Sequence, residues 1–135
     1  MLEPETVVRQ LWDAINARDY AHLAGAIAER CEWMSMPLER TYIGPEAMVN
    51  GLRSFHAEFP DGEGEILELY VEGDVVIVEW RMGGTQAETK RSFSRRGCSV
   101  AQVRGGKIVS YRDYFDRLSQ REQLGVNPEP VPSAL

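Results

Sequence analysis

Asp113 is the acidic side chain best placed for acid–base chemistry. It falls in an alternating run, Tyr111-Arg112-Asp113-Tyr114-Phe115-Asp116, that reads as a strand. Period two puts Tyr111, Asp113 and Phe115 on one face and Arg112, Tyr114 and Asp116 on the other. A carboxylate between two aromatic rings is drawn out of water, which raises its pKa and suits it to proton transfer near neutral pH. The alternative is a structural carboxylate neutralised by an arginine or a backbone N–H. His56, beside Phe55 on a helical stretch, is a second acid–base candidate. Its nearness to Asp113 turns on the rotation of that helix, and a surface or satisfied histidine is the other reading. His22, on the short second helix, carries the same surface reading, with a place at a pocket mouth as the alternative.

Other chemistries find little support. The two histidines and two cysteines lie far apart in the chain, and Cys31 and Cys98 form no CxxC pair. There is no GxGxxG, P-loop or HxxxH spacing, so any reaction is expected to need neither cofactor nor metal. With 135 residues and a net charge of -6, the chain allows one acidic domain. It lacks the cationic surface that nucleic acid requires. No apolar run approaches the roughly 20 residues of a membrane span, and no export signal opens the sequence. With its two thiols read as free, the protein is expected in the cytoplasm, away from membranes.

The elements that must position Asp113 follow from periodicity. Pro4 suits a first helical turn, and Val8, Leu11, Trp12 and Ile15 then form an apolar stripe. Asp19 is a candidate N-cap for a short second helix containing Leu23, Ala24 and Ile27. Cys31 to Met36 reads as a strand ended by Pro37. A third helix starts near Gly44-Pro45 and carries Met48, Leu52, Phe55 and Phe59. The pattern then changes to strands: Leu67 to Glu72, Val75 to Met82 ended by Gly83-Gly84, Ser92 to Val103, and Ile108 to Phe115. Gly105-Gly106 reads as a two-residue hairpin turn. Asp116 can cap a last helix with Leu118 and Leu124 on one face, and a proline-bearing tail spans 126–135. Helices followed by a meander make an α+β plan, with the domain over residues 1–125.

Gly106 to Asp116, GKIVSYRDYFD, resembles the SnoaL-like branch of the nuclear transport factor 2-like superfamily, whose end strand often reads G-K-I, an aromatic, then R-D-Y-F-D. Phe59-Pro60-Asp61 and Val78-Glu79-Trp80-Arg81-Met82 are also common there. The resemblance implies a conical α+β barrel: a strongly curved, mixed or antiparallel sheet wrapped around N-terminal helices as a cystatin-like roll. It further implies a deep apolar pocket and a homodimer formed through the outer sheet face. Members include polyketide cyclases, limonene-epoxide hydrolase, ketosteroid isomerase and dehydratases, and others only bind ligands, so the fold leaves function open.

In the epoxide hydrolase the aspartate matching Asp113 is catalytic. The hydrolase also needs an arginine and an aspartate where this chain has Trp80 and Met82, so its water-activating bridge is missing. It holds the water with a tyrosine and an asparagine at positions matched by Trp33 and Ser35. Ser35 could still position water or a substrate oxygen, whereas Trp33 has a single N–H to donate. Trp33, Trp80, Met82 and Phe115 read as walls of an apolar pocket, or as simple core filling. Trp12 is expected to close the wide side of the core. Tyr42 and Tyr70 are further donors without a fixed place. Arg91, Arg95, Arg96 and Arg104 could read as an anion site, but cross-strand or cross-dimer ion pairs with Glu68, Glu72, Glu79 and Asp116 are the simpler account. Three readings result: cofactor-free isomerisation, cyclisation or (de)hydration of an apolar, oxygen-bearing small molecule; a binding module without chemistry; or a structural dimerisation domain.

Overall fold

The computed structural model describes residues 2–126. Helices α1 (Pro4–Ala17) and α2 (Tyr20–Ala26) lead into strands β1 (Ile27–Ser35) and β2 (Arg40–Ile43), followed by α3 (Gly44–Glu58). A meander of β3 (Glu63–Glu72), β4 (Val75–Thr85), β5 (Ser92–Arg104) and β6 (Lys107–Phe115) ends in the short α4 (Arg117–Gln123). Apart from Val126, the expected tail lies outside the described residues.

Local chemistry accounts for most of the boundaries. Pro4 opens α1, whose stripe buries Val7, Val8, Leu11, Trp12, Ala14 and Ile15. Asp19 caps α2 by accepting from the His22 N–H at 3.0 Å. Ile27 lies outside that helix: it is extended and opens β1 as a buried, β-branched residue. Gly83 and Gly84 do not end β4, which runs on to Thr85. A Cβ on Gly83 would lie 2.6 Å from the Phe93 carbonyl oxygen, so glycine here lets β4 stay close against β5. Gly105 and Gly106 turn the β5–β6 hairpin with φ of 59° and 74°. Asp116 caps α4 through the Ser119 N–H at 2.9 Å. Of the two leucines expected on one face of that helix, Leu118 lies within α4 and is exposed, whereas Leu124 is its C-cap and is buried.

The sheet is mixed, in the order β2-β1-β6-β5-β4-β3. All neighbours are antiparallel except β1 and β6, which run parallel. The α+β class stands, but the conical barrel or cystatin-like roll does not. The sheet is open, neither closed nor strongly curled, with β2 and β3 as free edges. Closure would need those edges to hydrogen-bond each other. β2 has only four residues and packs against α3, whereas β3 packs against α1, so a layer of helices holds the two edges apart. The main core lies between that helix layer and the sheet, and all three tryptophans belong to it. No helix of the described residues is long and apolar enough to cross a membrane.

Candidate functional site

Sheet register builds the site around Asp113. On β6, Asp113 stands opposite Ser35 of β1 on one side and Ser99 of β5 on the other. One step along, Tyr111 lies between Trp33 and Ala101, and on the other side Phe115 pairs with Gly97, which itself faces Trp80 of β4. Because side chains alternate, all of these project to the helix-covered face.

The Asp113 carboxylate is held by two side chains. Trp33 Nε1 donates to Oδ2 at 2.8 Å, and Ser99 Oγ donates to Oδ1 at 2.5 Å. Ser99 in turn accepts from Trp80 Nε1 at 2.8 Å. Trp12 Nε1 donates to Tyr111 Oη at 3.1 Å, and the Trp33 ring stacks on Tyr111 with centres 3.8 Å apart. Every indole N–H of the chain therefore ends on Asp113, on its serine, or on the tyrosine beside it. Burial pushes the Asp113 pKa above the ordinary carboxylate value; the Ser99 and Trp33 hydrogen bonds and the Arg95 charge oppose that rise. Tyr111, wholly buried, is pushed up as well, mainly by desolvation. It is a phenol that keeps its proton.

A cavity of about 200 Å³ lies against this network. Its floor is sheet: Trp33, Ser35, Trp80, Met82, Tyr111, Asp113 and Phe115, with Trp12 and Ile15 from α1. Leu38, Tyr42 and the α3 residues Met48, Leu52 and Phe55 form the remaining wall. Most of the lining is apolar, in the manner of a small-molecule site. Ser35 is buried and its Oγ has no partner.

His56 is not among the residues lining the cavity. It is buried on α3, with Nδ1 2.6 Å from Tyr20 Oη, and burial followed by the Arg18 charge lowers its pKa. His22 sits on α2 away from Asp113, and Tyr70 is exposed on β3.

Two residues of the site escaped the sequence reading. Ser99 is fully buried and joins Trp80 to Asp113. Arg95, expected in an outer ion pair, instead lines the cavity with its guanidinium 3.9 Å from the centre of the Phe115 ring. Counting by two from Val103 through Ala101, Ser99, Gly97, Arg95 and Phe93 places the whole set on the inner face. Arg104 does pair outside, with Asp74 at 3.2 Å, and the other outer cross-strand pair, Arg81 with Glu65 at 2.7 Å, joins β4 to β3. Among the described residues, no three His, Cys, Asp or Glu side chains gather as a metal site would require.

The model of the SnoaL-like domain matches residues 8–111. The chain belongs to the SnoaL-like family, within the NTF2-like superfamily. Solved structures agree with the fold of this SnoaL-like domain. An NTF2-like protein from Burkholderia thailandensis is 30% identical with a TM-score of 0.83, the match covering 95% of this chain and all of the other. IdmH from Streptomyces antibioticus, a candidate polyketide cyclase, is 22% identical with a TM-score of 0.83, over 93% of this chain and 100% of that one. A protein from Catenulispora acidiphila with a ketosteroid isomerase-like fold, solved in complex with trimethylamine, is 21% identical with a TM-score of 0.83, over 93% and 97% of the two chains. Nearly the full length of each relative is thus matched by this SnoaL-like domain.

Proposed function

We propose that this SnoaL-like protein binds an apolar, oxygen-bearing small molecule in the cavity and moves a proton on it through Asp113 without a cofactor. The reaction class is isomerisation, cyclisation or (de)hydration. One observation carries the proposal: among the described residues, the only carboxylate lining a mainly apolar cavity has a raised pKa and is fixed by donors on both oxygens. Each oxygen keeps a further lone pair for a substrate proton. Asp113 would take a proton from carbon or hydroxyl as general base and return it elsewhere on the same molecule as general acid. Ser35 would orient a substrate oxygen. Trp33, Trp80, Met82, Tyr111, Phe115 and Trp12 would grip the apolar body. His56, turned to Tyr20, would support α3 instead of taking part in the chemistry.

The test starts with native mass spectrometry of freshly purified protein and identification of any released compound. Turnover of that compound, or of a panel of polycyclic ketones, is then compared between wild type and Asp113→Asn. Unchanged turnover in the variant would sink the catalytic role. A ligand that is bound but never converted would favour the second reading, a carrier, for which the apolar Trp80 and Met82 beside a single carboxylate speak.

We propose further that two copies associate through the outer face of the sheet, in the cytoplasm. Tyr70, Ile77, Val100, Arg112 and Met34 form one cross-strand row on that face, with Tyr70 and Ile77 51% and 37% exposed. Light scattering should give a dimer mass, and Ile77→Glu a monomer. A wild-type monomer would refute the interface.

A further inference from the structure

Arg95 is a cation in a mainly apolar wall that makes no ion pair among the described residues. Its Nη1 donates to Gln120 Oε1, its Nη2 rests 3.9 Å from the Met82 sulfur, and its Nε has no acceptor. Among the described residues it forms no ion pair, although Asp113 lies near enough to attract it. The guanidinium lies over Phe115 at 3.9 Å and within 5.6 Å of the Trp80 ring centre. Those faces compensate part of the lost hydration, and less than a carboxylate would. Most of the five guanidinium N–H donors are left unused.

Asp113, Phe115 and Arg95 follow one another along the cavity wall: a carboxylate, an aromatic ring, then a cation. Because the guanidinium covers one face of Phe115, a flat molecule in the cavity would pack beside that stacked pair and reach Asp113 with one end and Arg95 with the other. We infer that Arg95 sets ligand specificity by receiving a carboxylate carried by that flat, apolar molecule, so that the ligand is an aromatic or polycyclic acid. The inference rests on the cavity being a ligand site, and adds to it the ligand's charge and direction. Burial has already brought the Arg95 pKa down to about 10, so an arriving anion would meet a cation that has lost much of its water. Asp113, whose own pKa is raised, would repel that anion less than an ordinary aspartate would.

The test uses the full chain and two probes of equal shape, 2-naphthoate and 2-naphthamide, titrated by calorimetry at neutral pH. Wild type should bind the naphthoate about tenfold more tightly, the size of one charge-assisted contact. Arg95→Met should erase that preference, weakening the naphthoate about tenfold more than the naphthamide, since the guanidinium can donate to either oxygen but pairs in charge only with the anion. Arg95→Lys, which keeps the charge and most of the packing, should retain part of the preference and covers the case in which the methionine variant misfolds. Equal binding of both probes by wild type, or a preference that survives in Arg95→Met, would overturn the role of Arg95 and leave the cavity reading standing. Binding of neither probe by wild type would overturn both.

Discussion

Ser99 Oγ sits 2.5 Å from Asp113 Oδ1, directly across the β5–β6 pairing. The same hydroxyl accepts from Trp80 Nε1, so its one proton is committed to the carboxylate. The serine therefore donates to the acid while it receives the indole N–H. It transmits the position of Trp80 on β4 to the acid on β6, and its bond opposes the rise in Asp113 pKa that burial produces.

Ser99→Ala should cost about 1–3 kcal/mol of stability, because the buried Trp80 N–H loses its acceptor and Asp113 one donor. The Asp113 pKa should climb further, moving the acid limb of any pH–rate profile to higher pH. Denaturant unfolding and the pH profile check the two halves separately, and a profile that stays put would contradict the role given to Ser99.

Asp113→Asn should change the pH dependence of stability in a defined direction. The folded pKa of Asp113 lies above its unfolded value. Its contribution is therefore fully present below the unfolded pKa, near 3.8, and is lost as the pH rises through the folded pKa. Relative to the asparagine variant, wild type should gain stability as the pH falls from 7 toward 4. Melting temperatures of both proteins across that range decide the matter, and a constant difference would show that Asp113 does not titrate in this way.

Gly97→Ala should dislodge Trp80. A Cβ there would lie 2.3 Å from the indole ring, which crosses the β5 backbone at this point on its way to Ser99. Overpacking of this kind costs about 1–3 kcal/mol. Tryptophan emission should shift as Trp80 leaves its site, and ligand affinity should fall, since the same ring forms part of the cavity floor. Unchanged emission together with unchanged stability would mean that the sheet adjusts instead.

His56 should make the fold sensitive to mild acid. Its pKa is lowered from 6.5 by burial and by Arg18, and with the ring neutral Tyr20 donates to Nδ1. The stability it supplies is complete above about pH 6.5 and is lost as the pH falls toward the depressed folded value. His56→Gln should flatten the melting curve of stability between pH 8 and 5 and leave turnover intact. A large loss of turnover with normal folding would return His56 to the chemistry.

Alternation along β6 was enough to set Asp113 between Tyr111 and Phe115, and the helix caps at Asp19 and Asp116 were legible from residue type alone. Arg95 was hidden by its charge: an arginine among arginines reads as surface, and only strict counting by two along β5 turns it inward. The partners of Asp113 were hidden for another reason. Trp33 and Ser99 reach it through strand neighbours, and nothing local in the chain says that β1 lies parallel to β6. The openness of the sheet is likewise a property of which edges meet, and family resemblance overstated its curvature. The rotation of α3, which turns His56 toward Tyr20, depends on packing that periodicity does not resolve.

The parallel pairing of β1 with β6 also has a consequence for synthesis. The bond between Trp33 and Asp113 spans 80 residues, so β1 leaves the ribosome long before its partner strand exists. Until β6 arrives, the apolar face of β1 and its unpaired backbone groups have only β2 and the helices for cover. Long-range pairing of this kind is slow to form and exposed to aggregation meanwhile. The acid–base group is thus completed by one of the last strands to be made, and nascent chains stopped short of Asp113 would lack the network while already carrying the tryptophans meant to support it.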